Sequence, residues 1–114
     1  MKTKIVKFGN FSAVALILII AIAISGCKKE NPGPDQVFMQ NTAFNPQTIT
    51  VSKNATVTWT NKDNMTHNVT SSTGLFESGN IPPGGTFSFQ FPATGTYPYS
   101  CTIHAGMTGT VVVQ

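Results

Sequence analysis

Arginine is absent from this chain, and charge of either sign is scarce: 114 residues carry seven lysines, four acids and two histidines. A nucleic-acid surface needs clustered cationic side chains. Three of the lysines, Lys2, Lys4 and Lys7, sit in the first ten residues and account for the whole formal charge of +3. From Cys27 onward, Lys28, Lys29, Lys53 and Lys62 are matched by Glu30, Asp35, Asp63 and Glu77. No nucleic-acid partner is expected of so neutral a domain. Cysteine is as scarce, with Cys27 and Cys101 alone, so no disulfide framework can be built. There is one long apolar run, residues 11–24, and it falls short of the roughly 20 residues that cross a bilayer comfortably. No window after residue 35 shows a helical period, and no internal repeat occurs.

What is present begins with a basic segment, the apolar run, and then Ser25, Gly26 and Cys27. That order reads as an export signal over residues 1–26, with an uncleaved N-terminal anchor as the alternative. Ile24-Ser25-Gly26-Cys27 resembles the bacterial lipobox, which implies cleavage before Cys27 and acylation of its sulfur. Two or more acyl chains give stable membrane attachment, so the expected location is extracytoplasmic, anchored through Cys27 in the periplasm or at the cell surface. Residues 27–35 (Cys-Lys-Lys-Glu-Asn-Pro-Gly-Pro-Asp) have the composition of a tether, which would reach about 30 Å when extended. Residues 36–114 form the one expected domain.

Within that domain, short runs alternate with period two, which lines one set of side chains along one face of a strand. Ile49 and Val51 share a face, as do Val57 and Trp59, then Phe87, Phe89 and Phe91, then Tyr97, Tyr99 and Cys101. Residues 110–114 close the chain as a last strand. Asn45-Pro46, Ser52-Lys53-Asn54, Asn61-Lys62-Asp63-Asn64, Pro82-Pro83-Gly84-Gly85 and Ala93-Thr94-Gly95 separate these runs as turns. The pattern predicts an all-β sandwich or small barrel. Its expected core is Phe38, Phe44, Ile49, Val51, Val57, Trp59, Phe87, Phe89, Phe91, Val111 and Val113, with Met39 and Met65 as packing or surface residues.

With Cys27 assigned to lipid, Cys101 is a lone thiol in an oxidising compartment. It is then an intermolecular crosslink, a reactive thiol or a metal ligand. Its neighbours decide: His104 follows by three residues and Met107 by three more, in a glycine-containing loop between two strands. Thiolate and thioether are soft ligands that favour copper, and two imidazoles with one thiolate and a weak axial thioether make the type 1 electron-transfer set. His67 is the other histidine of the chain and supplies the second imidazole. Zinc is a poorer fit, because a thioether is a weak zinc ligand.

The segment Val57-Thr58-Trp59-Thr60-Asn61-Lys62-Asp63, then Thr66-His67-Asn68-Val69, then Ile81-Pro82-Pro83-Gly84-Gly85, then Gly95 through Cys101-x2-His104-x2-Met107 is similar to the cupredoxins, the blue copper family of plastocyanin, pseudoazurin and amicyanin. The resemblance spans roughly residues 37–114, and the short ligand loop is of the amicyanin type. It implies a Greek-key β-sandwich and one type 1 copper ion, with His67, Cys101 and His104 as strong ligands and Met107 as the long axial one. It implies that Asn68 ties the two ligand loops together near the sulfur, and that electrons pass through the exposed ring of His104. Ile103 stands where relatives often have proline, which bears on loop stiffness and potential.

The implied function is a single-electron shuttle between extracytoplasmic redox proteins, such as a c-type cytochrome or a copper or quinone enzyme, acting as a monomer and not as an enzyme. A copper nitrite reductase or multicopper oxidase needs further histidines for a second metal site, and two histidines cannot supply it. A copper-binding lipoprotein for delivery or storage is the alternative use of the same ligands. An immunoglobulin-like sandwich would share the Tyr-x-Cys pair, but it needs a second cysteine in the domain. An apolar patch of Ala105, Gly106, Pro82 and Pro83 beside His104 is the expected docking surface.

Overall fold

The computed structural model describes residues 30–114. The expected signal over residues 1–26 and the lipidated Cys27 lie outside the described residues.

Eight strands follow in chain order: β1 (Gln36–Met39), β2 (Phe44–Asn45), β3 (Thr48–Val51), β4 (Thr56–Asn61), β5 (Thr70–Ser71), β6 (Thr86–Gln90), β7 (Gly95–Ser100) and β8 (Thr108–Val113). No helix occurs among the described residues. The strands form two four-stranded sheets, ordered β2-β1-β4-β6 and β3-β8-β7-β5. Both are mixed. β1 runs parallel to β4 and β3 parallel to β8, while the remaining pairs are antiparallel. Strands distant in sequence are therefore neighbours, as in a Greek-key sandwich.

The two-residue alternation sets the faces. β4 is buried at Val57, Trp59 and Asn61, with Thr56, Thr58 and Thr60 turned outward. β8 buries Gly109, Val111 and Val113 in the same way. Trp59 meets the ring of Tyr99 from the other sheet edge-on at 5.4 Å and that of Phe87, its partner on β6, at 5.7 Å, and Phe76 closes on Phe91 at 5.6 Å. Burying each such side chain contributes about 1.5–3 kcal/mol. Phe87 and Phe89 point to the core as expected but stay partly buried. β6 is the edge of its sheet, so no further strand among the described residues flanks those rings.

Phe38 is buried as expected, at 4% exposure, but it lies outside the main core cluster, which holds its neighbours Val37 and Met39. Inward Val37 and Met39 force Phe38 to the opposite face of β1, where the Lys62 ammonium sits 4.8 Å above its ring. Met39 is fully buried and Met65 is 42% exposed. The core also takes in Val69, Phe76, Ile81, Tyr99, Cys101 and Met107, so its last members come from the end of the sandwich that carries the ligand loops.

Candidate metal centre

The β7–β8 hairpin delivers three of the expected ligands, Cys101, His104 and Met107. These strands pair antiparallel from Gly95↔Val113 to Ser100↔Thr108, so Cys101 leaves one strand where Met107 enters the next. The Cys101 amide donates to the Met107 carbonyl at 2.9 Å, and the Met107 amide donates to the His104 carbonyl at 3.3 Å. The loop between them turns at Gly106, whose φ of +84° suits a residue without Cβ. Tyr99 and Gly109 face each other at the base of this hairpin. A Cβ on Gly109 would lie 2.5 Å from the Tyr99 ring, so this position must be glycine for Tyr99 to lie against Trp59.

His67 comes from the connection between β4 and β5. It forms a two-way bridge with Ile81, donating at 3.2 Å and accepting at 2.7 Å. Asn61, buried among apolar side chains, shapes this connection. Its side-chain amide donates to the carbonyls of Met65 and Ile81 at 2.8 and 3.0 Å, and its oxygen accepts from the Asp63 amide at 2.9 Å.

These two loops bring His67, Cys101 and His104 together. The Nδ1 atoms of the histidines are 3.2 Å apart, and Cys101 Sγ lies 3.9 Å from that of His67 and 3.7 Å from that of His104. A metal held about 2.0 Å from nitrogen and about 2.3 Å from thiolate in one plane would separate such donors by about 3.5–3.7 Å. The observed triangle fits a three-donor metal site. His67 and Cys101 are buried, and His104 is partly exposed. Met107 is 3% exposed at the same end of the core, one turn of loop beyond His104. A cleft of about 190 Å³, lined by Thr42, Ala43, Phe44, Gln47 and Thr108 among others, opens beside Met107.

Hydrogen bonds hold the donors in place. The Asn68 amide reaches Cys101 Sγ at 3.5 Å. The Asn68 side chain donates to Thr102 Oγ1 at 2.7 Å and accepts from the Thr102 amide at 3.0 Å, joining one ligand loop to the other. Thr70 Oγ1 donates to the same Asn68 oxygen at 3.1 Å. Such contacts orient ligands and tune the metal they hold.

Asp63 carries no site role in the sequence reading, yet it touches the site. Its Oδ2 lies 2.8 Å from His67 Nε2. A carboxylate can only accept, so Nε2 donates to it, and Nδ1 is the ring nitrogen that faces the other two donors. Burial pushes the Asp63 carboxyl up, but the Thr42 amide, the His67 ring and the Asn41 amide outweigh it and hold the group below the usual carboxylate value. The one available signal was its spacing: an acid four residues before a histidine that a second loop must hold.

The profile of the Cupredoxin-like domain family matches residues 12–113. This chain is a cupredoxin. It is 32% identical over 109 residues to Amicyanin-alpha of Methylorubrum extorquens, an alignment covering 91% of this chain and 90% of the relative. Among solved structures it is similar to a purple cupredoxin from Nitrosopumilus maritimus, with a TM-score of 0.64 and 29% identity over 69% of this chain and 98% of that one. It is also similar to the Cu(I) form of an amicyanin variant, with a TM-score of 0.67 and 28% identity over 75% of this chain and 87% of that one. The cofactor of this cupredoxin is copper, which suits its donors: two imidazoles, a buried thiol and a thioether form a set softer than zinc or the alkaline earths select.

Proposed function

We propose that this cupredoxin is a lipid-anchored blue copper protein that moves single electrons between extracytoplasmic redox proteins. His67, Cys101 and His104 would hold the metal, with Met107 as the fourth donor from the same end of the core. The observation that carries this reading is the triangle of Nδ1, Nδ1 and Sγ atoms with sides of 3.2, 3.7 and 3.9 Å. Copper bound there supplies a one-electron couple.

The chain's own residues account for the rest. Asn68 and Thr102 keep the two ligand loops in fixed relation, so the donors need not move when the oxidation state changes. The Asn68 amide directed at Cys101 Sγ stabilises negative charge on sulfur. Burial of His67 and Cys101 excludes water from two of the three donors, and the partly exposed His104 ring is left as the route to the surface. Ala105 and Gly106, which follow it in the loop, are exposed, as are Pro82 and Pro83 on the connection after Ile81. Ile103, 47% exposed, adds a branched apolar side chain. A small apolar face of this kind suits the brief contacts of redox proteins, which bury little surface. The lipobox-like segment ending in Cys27, and the tether that follows it, support attachment to the outer side of a membrane.

The test is a visible spectrum of the purified protein with one equivalent of Cu(II). An intense blue thiolate-to-copper band, bleached by ascorbate and absent in Cys101→Ser, is the expected result. A colourless complex, or a band that survives in Cys101→Ser, would remove the proposal.

A further inference from the structure

Resting on the copper site just proposed, a further role emerges for the strained hairpin between β1 and β2. Asn41 and Thr42 both have φ of +57°. This left-handed region is uncommon for any residue with a side chain, and a genuine outlier for a β-branched one such as Thr42. Strain of this kind persists only where the surroundings enforce it, and it clusters at functional sites. Here the enforcing group is visible. The Asn41 amide donates to Asp63 Oδ1 at 2.7 Å, and the Thr42 amide donates to Asp63 Oδ2 at 3.0 Å. Successive amides turned to one side form an anion cradle. The Asp63 oxygen held by Thr42 is the one that meets His67 Nε2 at 2.8 Å.

The Asp63 amide is itself held by the Asn61 side chain, so the carboxylate is fixed from two elements and directed at a ring with 0% exposure. A solvated aspartate would lose side-chain freedom to make a single contact with an imidazole. Cradling removes that cost in advance, because the backbone of another loop has already oriented the group.

We propose that Asp63 is the positioning residue of the metal site and that the left-handed pair Asn41–Thr42 exists to hold it there. It selects the Nε2-protonated form of His67, fixes the plane of the ring, and places a negative charge one imidazole away from the metal. That charge favours Cu(II) over Cu(I), so Asp63 keeps the reduction potential low.

The copper-loaded full chain is compared with Asp63→Asn, which keeps shape and an acceptor oxygen but removes the charge. The preference for Cu(II) over Cu(I) should fall about tenfold, a rise in potential of about 59 mV for one electron, while the blue band remains. A change of less than twofold would overturn the proposal. Asp63→Glu restores the charge and should return the potential to within about threefold of the parent. If Asp63→Asn fails to load copper, Asp63→Glu decides alone: a blue protein of near-parental potential supports the role, and failure to bind overturns it.

The pair Asn41→Gly with Thr42→Gly keeps both amides and the charge, and should leave the potential unmoved. A shift as large as that of Asp63→Asn would assign the effect to the loop and overturn the role of the carboxylate. Nitrogen-15 NMR of the metal-free protein tests the inference separately from the copper reading. His67 should be protonated at Nε2, and a proton found at Nδ1 would overturn the proposal even if the protein turns blue with copper.

Discussion

A single buried phenol ties the stability of this fold to alkaline pH. Tyr99 is 1% exposed, and its hydroxyl and the Trp59 indole nitrogen are buried without a hydrogen-bond partner among the described residues. Burial raises the Tyr99 pKa from 10 to about 12, an effect that the neighbouring Trp59 opposes only in part. The unfolded chain gives up this proton near pH 10, whereas the folded chain keeps it until about pH 12. Within that window the unfolded state binds fewer protons, so stability falls as pH rises. At about 1.4 kcal/mol per pH unit, the loss is about 2–3 kcal/mol. Tyr99→Phe should flatten that alkaline limb in denaturant melts between pH 9 and pH 12, estimated from the same shift. An unchanged limb would mean that another group titrates there. The hydroxyl lies over Gly109, where added atoms have no room, so the smaller phenylalanine fits the same space.

At the scale of elements, the β7–β8 hairpin is both a rigid support and a contact surface. Its strands pair over six residues each, and its loop is closed by the Cys101–Met107 and Met107–His104 hydrogen bonds. The proposed ligands Cys101, His104 and Met107 are thereby set by the backbone, while Ala105 in the same loop is exposed. Ala105→Glu should therefore leave the visible spectrum and the melting temperature close to those of the parent. Electron exchange with a physiological partner should slow severalfold, since a charge at the centre of a small apolar contact must be desolvated. Stopped-flow transfer rates check this, and an unchanged rate would place docking elsewhere on the molecule.

For the whole molecule, the metal joins parts that the chain keeps far apart. His67 follows β4 of one sheet, whereas Cys101 and Met107 bracket the β7–β8 hairpin of the other. An ion that binds these donors only in the folded state adds its binding energy to the stability of the sandwich. At free copper a thousandfold above the dissociation constant, that is about 4 kcal/mol. For a domain of this size, each kcal/mol moves the melting temperature by about 4–8 °C. Scanning calorimetry should therefore find the copper-loaded protein melting roughly 15–30 °C above the metal-free form, on the same estimate. Equal melting temperatures would mean that the folded state does not bind copper at these residues.

Much of this architecture could be read from one dimension. Two-residue alternation placed Val57 and Trp59, Ile49 and Val51, and the three phenylalanines from Phe87 to Phe91 on inward faces, because a strand cannot present neighbours to the same side. Cys101, His104 and Met107 were legible because one hairpin loop carries them, so their spacing is itself geometry. His67 could be found because the chain offers no other histidine. Which strands pair was not legible. β1 with β4 and β3 with β8 are parallel neighbours joined by long connections, and nothing local in either partner records the other. Nor was the face of Phe38 legible: Val37, Phe38 and Met39 are all apolar and all buried, and only the fit of β1 against β4 decides which of them join the main cluster. Asp63 was hidden most completely. Its amide partners lie 21 and 22 residues away, on a hairpin whose left-handed backbone at Asn41 and Thr42 has no local sequence signature. Sequence alone determined the donors and the period of the strands, which are properties of single residues and short windows. The tertiary structure decided what surrounds the donors, because cradles, tautomers and exposure belong to contacts between segments that the chain does not place side by side.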